Sequence, residues 1–174
     1  MIVCATNTTV DVNRGAMTFG GNLMQNLQNL FAPGTGFLRS LCNSALISAV
    51  TTLLALLVSS MAGYGFEVFR TRARDRVFNI LLISMMIPFA TLMIPLFRIF
   101  GRLNDMGFSF MGLNSYAAVI LPSISTAFLI FFFRQNTKSF PKDILEAARI
   151  DGLGEVHIFF RMYMPVMRST YAAA

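Results

Sequence analysis

The chain has 174 residues, of which 55% are hydrophobic and only 13% are charged. Average soluble domains are about 45–50% apolar and about 25% charged. The composition therefore argues against a disordered chain, a disulfide scaffold or an ordinary soluble enzyme, and favours a membrane protein. The net charge of +6 does not indicate nucleic-acid binding, because the basic residues collect between apolar stretches and form no basic face.

Three apolar stretches are long enough to cross a bilayer, whose hydrocarbon core of about 30 Å needs roughly 20 apolar residues in a helix. Within lipid the backbone must satisfy its own hydrogen bonds, which favours helices over isolated strands. We predict an all-α polytopic bundle with transmembrane helices at about 41–66, 77–100 and 116–133. Prolines 88, 95 and 122 lie inside them, and we expect neighbouring helices to make them tolerable.

The distribution of Lys and Arg predicts how these helices are oriented, because short cytoplasmic loops are enriched in both residues. Ten of the 14 basic residues lie in a loop near residues 67–76 or in the segment after residue 133. We therefore assign these two segments to the cytoplasm. Residues 1–40 and a loop near 101–114 are then extracytoplasmic.

The segment 134–168 is less apolar and has the pattern of two short amphipathic helices. Pro141 suits the first turn of a helix, because its missing N–H would be unpaired there anyway. Gly152 and Gly154 end that helix. The second helix has apolar residues at spacings of three and four, namely Val156, Phe159, Phe160 and Tyr163. Such a hairpin can lie on lipid or dock on a soluble partner, and the pattern alone leaves both open.

One motif in this hairpin has a specific spacing. Its members are Glu146, Ala147, Ala148, Gly152, Met162, Met164 and Pro165. The spacing resembles the EAA motif of the membrane subunits of bacterial binding-protein-dependent ABC importers. That motif ends in Ile-x-Leu-Pro, and methionine at both apolar positions is a mild departure because Met is a flexible apolar substitute. The stretches that begin at Asn43 and Leu121, and the segment 149–152, resemble the carbohydrate-uptake permeases of the maltose-transporter type.

The resemblance implies that the hairpin couples ATP hydrolysis to transport. In that family it docks in a cleft of the ATP-binding subunit, and closure of the ATPase dimer rocks the membrane subunits between inward- and outward-facing states. Glu146 would then be a polar contact to the ATPase, while Ala147 and Ala148 would permit close helix approach. Gly152 would form the turn. The full set of expected coupling residues is Glu146, Ala147, Ala148, Asp151, Gly152 and Pro165.

Other interpretations remain open at the level of the residues. Glu146 alone could be a surface carboxylate that pairs with Arg149 three residues later. The chain could also be a non-transporting membrane protein whose hairpin binds lipid or another partner. A membrane-embedded enzyme is the weakest alternative, because no nucleophile, base and orienting group can be assembled. We expect no catalytic, cofactor or metal site, since there is no Walker-type glycine loop and His157 is the sole histidine.

The resemblance also implies where the protein is located and which proteins it works with. It predicts a multi-pass subunit of the bacterial cytoplasmic membrane that works with an ABC ATPase dimer, a second permease subunit and an extracytoplasmic solute-binding protein. The transported solute would be a sugar or a related compound. Permeases of this branch have six spans, so we interpret the three predicted here as part of such a bundle. Residues 169–174 would begin a missing span.

Overall fold

The computed structural model describes residues 1–174, and its regular elements are helices and turns without any strand. The predicted all-α class is therefore confirmed. The helices are α1 (Ile2–Thr6), α2 (Thr9–Asn13), α3 (Leu23–Leu30), α4 (Phe37–Val68), α5 (Arg72–Ser84), α6 (Phe89–Asp105), α7 (Tyr116–Ile120), α8 (Ala127–Thr137), α9 (Lys142–Ile150), α10 (Glu155–Ile158), α11 (Met164–Val166) and α12 (Arg168–Ala173). The chain divides into two units, Met1–Leu46 and Ile47–Ala174.

The first unit is held together mainly by polar side chains that bond to backbone carbonyls. The Nδ2 of Asn26 donates to the carbonyls of Ala5 and Asn7 at 2.9 and 3.0 Å. The Nδ2 of Asn7 donates to the carbonyl of Thr18 at 2.7 Å. The bonds to Ala5 and Asn7 satisfy carbonyls at the end of α1, and the bond to Thr18 holds the loop between α2 and α3. The extracytoplasmic location of residues 1–40 stays a prediction.

Helix α4 contains the first predicted transmembrane helix, at about 41–66, as one continuous helix. It has 32 residues and is long and apolar enough to cross a membrane. At 1.5 Å per residue it is about 48 Å long, well over the hydrocarbon thickness of about 30 Å. The helix therefore has length to spare, and its C-terminal turns extend to the part of the chain where the hairpin packs.

The second predicted helix, at 77–100, is not one straight helix. Helices α5 and α6 are separated by a short break and bent by 100°. Pro88 lies at this break as the N-cap of α6. A proline lacks the N–H of a helical bond and disfavours the helical conformation of the residue before it, which explains why the helix ends there. Pro95 is accommodated inside α6. The expected tolerance of prolines within the apolar helices is therefore observed at Pro95 but not at Pro88.

The third predicted helix, at 116–133, falls within a longer helical stretch, Ser109–Thr137, that is apolar and long enough to span. This stretch is interrupted. Helix α7 passes into a 3-10 turn at Leu121–Ser123 that contains Pro122, and α8 begins after it. The hydroxyl of Thr126 caps α8 by accepting from the N–H of Leu129 at 3.3 Å. The second unit thus provides two candidate spans, or three if the bent pair counts as one.

The main apolar core of the second unit lies where the hairpin packs against the end of α4. Its buried members are Tyr64, Phe140, Leu145, Ala148, Ile158, Phe159, Tyr163 and Met167. Helices α4 and α8 also approach closely at Gly63, where a Cβ would lie 2.7 Å from the Cβ of Phe133. Only glycine fits such a contact without a shift of the backbone. The core therefore fixes the hairpin to the ends of two longer helices.

Candidate functional site

Helix α9, the first arm of the hairpin, forms for the local reasons that the sequence predicts. Pro141 is its N-cap, Asp143 lies in its first turn and Arg149 in its last, so both charges complement the helix dipole. Gly152 ends the arm with a φ of +80°. Its N–H bonds to the carbonyl of Arg149, and the N–H of Leu153 bonds to that of Ala148, both at 3.0 Å. This Schellman pattern satisfies the last carbonyls and confirms the predicted glycine turn.

The second arm differs from the regular helix that was predicted. It consists of α10, a π-helical turn at Phe159–Tyr163, and α11. The N–H of Met164 bonds to the carbonyl of Phe159, five residues earlier. Pro165 follows directly and has no N–H to continue an α-helical ladder, so a widened turn is favoured just before it. The expected coupling residue Pro165 is exposed.

The expected coupling residues do not all face the same surroundings. Ala148 is 1% exposed and lies inside the core cluster, so it packs the hairpin against the rest of the chain. The remaining five are exposed, namely Glu146, Ala147, Asp151, Gly152 and Pro165. The two alanines of the motif therefore differ, and a role of Ala147 in close helix approach to a partner stays a prediction.

Several apolar side chains of the hairpin are also exposed. Ile150, at the end of α9, is 86% exposed. In the second arm Phe159 and Tyr163 are buried, whereas Val156 and Phe160 are exposed. The predicted apolar stripe is thus only half in the core.

A polar clamp joins both arms of the hairpin to helix α4. The Nε of Arg149 donates to Oε1 of Glu155 at 2.7 Å, and the hydroxyl of Tyr64 donates to Oε2 of the same carboxylate at 3.0 Å. We call these three residues the Glu155 clamp. The hydrogen bond from Arg149 lowers the pKa of Glu155, so the carboxylate is ionised at neutral pH. Arg149 pairs with Glu155 rather than with Glu146.

A buried ion cluster joins α4, α5 and α8 nearby. Arg134 is 5% exposed, and its Nε and Nη2 lie 3.1 Å from Glu67 and 2.5 Å from Asp75. Its guanidinium also lies 4.0 Å from the centre of the Phe78 ring. Sequence reasoning treated Arg134 as one more cytoplasmic basic residue and missed this role. Its position directly after an apolar helix was the only local signal.

A third polar contact connects α8 to the second arm. The hydroxyls of Thr137 and Tyr163 lie 2.6 Å apart, and Tyr163 is completely buried. Burial raises the pKa of Tyr163 to about 12, so its hydroxyl is neutral at physiological pH. Buried hydroxyls with a partner at this distance are favourable, whereas an unpaired one would destabilise the core.

An open groove of ≈ 250 Å³ lies between the end of α4 and the hairpin. Among the residues that line it are Arg70, Lys142, Glu146 and Arg149. Arg70 is paired with Asp75 and Arg149 with Glu155, so the groove presents mixed, largely compensated charge. No group of three or more His, Cys, Asp or Glu side chains is placed to hold a metal ion.

Comparison with known proteins identifies the class to which these features correspond. Residues 55–174 match the family model described as the inner membrane component of binding-protein-dependent transport systems. The chain is 49% identical over all 174 residues to the lactose transport system permease protein of Rhizobium radiobacter, covering 61% of that protein. It is 36% identical over 164 residues, 94% of the chain, to the arabinooligosaccharides transport system permease protein of Bacillus subtilis, covering 54% of it.

A further relative is the sn-glycerol-3-phosphate transport system permease protein of Pectobacterium atrosepticum, 30% identical over 98% of the chain and 61% of the relative. The chain thus spans between 54% and 61% of the length of these three relatives. No solved structure matches it.

Proposed function

Because this chain belongs to the family of inner membrane components of binding-protein-dependent transport systems, we propose that it is part of the permease subunit of an ABC importer. The complete subunit would carry a sugar or a related solute across the cytoplasmic membrane. The relatives named for lactose and arabinooligosaccharides support a sugar. ATP hydrolysis would take place in a separate subunit, and the permease would respond to it through the hairpin.

One observation supports this function most directly: the hairpin is anchored on one side and exposed on the other. Ala148 and Leu145 are buried in the core cluster, whereas Glu146, Ala147 and Ile150 are exposed on the same helix. A helix that only covered lipid would have no need of the buried polar contacts behind it. A helix that transmits force needs both a free face for the partner and a firm attachment to the spanning helices.

The mechanism follows from this arrangement. Glu146 would form a polar contact to the ATPase, and Ile150 would add apolar contact area at the centre of the interface. The glycine turn at Gly152 would let the two arms enter a cleft together. When the ATPase dimer closes, the hairpin would move as a body and carry the ends of α4 and α8 with it. The pathway for the solute would then open to the other side of the membrane.

The partners and orientation of the complete subunit are part of the proposal. An ABC ATPase dimer would bind the hairpin in the cytoplasm, and a second permease subunit would complete the pathway. A solute-binding protein would deliver the substrate from outside, on the side of residues 1–40. The high proportion of basic residues at 67–76 and 134–168 supports this orientation.

Affinity purification tests the proposal. The complete subunit, expressed with its neighbouring genes, is purified from membranes and its companions are identified by mass spectrometry. We expect an ABC-type ATPase, and we expect Glu146→Ala and Gly152→Pro to reduce both its recovery and solute uptake. Asp143→Asn, which changes an exposed carboxylate on the same helix, is the matched control and should retain both.

Two results would contradict the proposal. One is recovery of the subunit without any ATPase, and the other is full uptake by the Glu146→Ala and Gly152→Pro variants. In either case the peptide 140–165 would be tested for binding to vesicles of anionic phospholipid. Salt-sensitive binding there would favour the alternative of a lipid-binding hairpin.

A further inference from the structure

We propose that Glu155 is the positioning residue through which movement of the hairpin reaches helix α4. This inference rests on the proposed function and names the residue that links the docking surface to the spanning helix. Glu155 is not one of the motif residues. Its assignment comes from the three elements that its carboxylate joins.

The first step is the geometry of the Glu155 clamp. One carboxylate oxygen accepts from Arg149, at the end of α9, and the other accepts from Tyr64, which is 91 residues away in sequence on α4. Glu155 itself begins α10. A single side chain therefore connects both arms of the hairpin to the first spanning helix. Charged hydrogen bonds of this kind are shorter and stronger than neutral ones.

The second step is the packing around the clamp, which holds its donors in position. The ring of Tyr64 contacts Phe159 and Tyr163 edge-on, with centroids 5.4 and 4.9 Å apart. The guanidinium of Arg149 lies 5.7 Å from the centre of the Phe69 ring, next to the end of α4. Both donors to Glu155 are thus constrained by aromatic neighbours on elements other than their own. A constrained donor transmits a displacement that a mobile one would absorb.

The third step concerns direction. The apolar core resists separation of the hairpin from α4, although its individual apolar contacts are not directional. The hydrogen bonds of Glu155 are directional, since they weaken steeply when the donor angle falls. They therefore add a directional resistance to sliding between the hairpin and α4. Loss of the clamp should leave the hairpin folded and bound to the ATPase while reducing the movement that reaches α4.

The test measures solute uptake and ATP hydrolysis together in the assembled transporter, reconstituted in liposomes with its binding protein. Tyr64→Phe removes only the bond to α4 and keeps the aromatic contacts. Glu155→Ala removes both bonds. We expect each variant to bind the ATPase normally and to hydrolyse ATP, with uptake per ATP reduced roughly three- to tenfold, as for the loss of one typical hydrogen bond.

Two matched variants serve as controls. Tyr171→Phe removes a hydroxyl from a residue packed against the same core cluster without touching Glu155. Asp143→Asn removes a carboxylate charge from the same hairpin. Both should keep the uptake per ATP of the unmodified transporter.

The outcomes separate this inference from the proposed function. If the unmodified subunit recovers no ATPase, the proposed function fails. If the ATPase is recovered and Tyr64→Phe and Glu155→Ala keep the normal uptake per ATP, only the role of Glu155 is overturned. It is likewise overturned if these variants lose the ATPase or fail to accumulate, because Glu155 would then support docking or folding rather than transmission.

Discussion

The hairpin and helix α6 belong to the same compact unit, yet they are stabilised in different ways. The hairpin region buries a continuous cluster from Tyr64 to Met167 and adds hydrogen bonds to α4 and α8. Helix α6 has 17 residues, of which only Phe100 is buried. Its other large apolar side chains, such as Phe97 and Ile94, remain exposed.

This difference shows which parts of the unit are complete by themselves. On the side that faces α4, the hairpin region buries its apolar groups and pairs its polar groups within the chain, so the stability of this attachment is a property of these residues. An apolar helix that leaves most of its side chains uncovered in its own chain needs lipid or other helices to cover it. This contrast leads to quantitative predictions. Substitutions of the same kind should change the free energy of unfolding strongly around the hairpin and weakly on the exposed face of α6.

The largest effect is expected at the buried ion cluster. Arg134→Met keeps much of the side-chain volume but leaves Glu67 without its cation in a nearly buried site. Breaking a buried ion pair from one side costs about 3–5 kcal/mol of the free energy of unfolding. Thermal unfolding of the purified complete subunit in detergent would measure this loss. Arg76→Met, at an exposed position, is the control, and a similar loss there would contradict a special role for Arg134.

The next effect is expected at the close approach of α4 and α8. Gly63→Ala places a methyl group 2.7 Å from the Cβ of Phe133 and 2.8 Å from the backbone N of Arg134. Such overpacking costs about 1–3 kcal/mol. Gly65→Ala, two residues later on the same helix, has no heavy atom within 4 Å. It should be neutral or stabilising by up to about 1 kcal/mol, because alanine favours helix over glycine. Equal unfolding temperatures for the two variants would refute the predicted contact.

A smaller effect is expected at the turn of the hairpin. Gly152 has a φ of +80° with no atom near its Cβ position, so Gly152→Ala should cost about 1–2 kcal/mol through the backbone alone. Gly154 has an ordinary φ of −71°, and Gly154→Ala should cost less. Hydrogen exchange of the backbone amides at positions 152 and 153 measures the opening of the turn in each variant. Equal protection in both variants would contradict the prediction.

The smallest effect is expected on the exposed face of α6. Phe97 is 65% exposed, and Phe97→Ala should change the free energy of unfolding of the subunit in detergent by no more than about 0.5 kcal/mol. Phe100, one turn later, is 7% exposed, and Phe100→Ala should cost about 3–5 kcal/mol. A large loss for Phe97→Ala would mean that the face is covered, and the contrast with the hairpin would disappear.

Local signals predicted some of these features. They include the long apolar run of α4 and the proline and glycine at the two ends of α9. These signals act within a few residues, so the structure they favour can be predicted from a short window of sequence. The spacing of Glu146 and Gly152 likewise indicated the motif and its turn. Pro88 and Pro95 show where such reasoning fails. A proline lies at the end of a helix at Pro88 but inside helix α6 at Pro95. The neighbouring elements, rather than the residue type, decide which of these outcomes occurs.

The polar contacts could not be predicted in this way because their partners are far apart in sequence. Glu67 and Arg134 are separated by 67 residues, and Tyr64 and Glu155 by 91. A periodic pattern identifies the face of a helix but does not say which charge it meets. Arg149 illustrates the limit: the nearby Glu146 was the obvious local partner, and the turn at Gly152 brings Glu155 to it instead.

The π-helical turn at Phe159–Tyr163 has a consequence for how this segment can change in evolution. Such a turn contains one residue more than the regular helix would. Deleting one residue there would allow a regular α-helical turn, because the widened turn absorbs one residue relative to its α-helical neighbours. The elements on either side would keep nearly the same phase, and only the contacts of the deleted side chain would be lost. We therefore expect relatives to tolerate a one-residue gap in this segment better than in the regular helix α9.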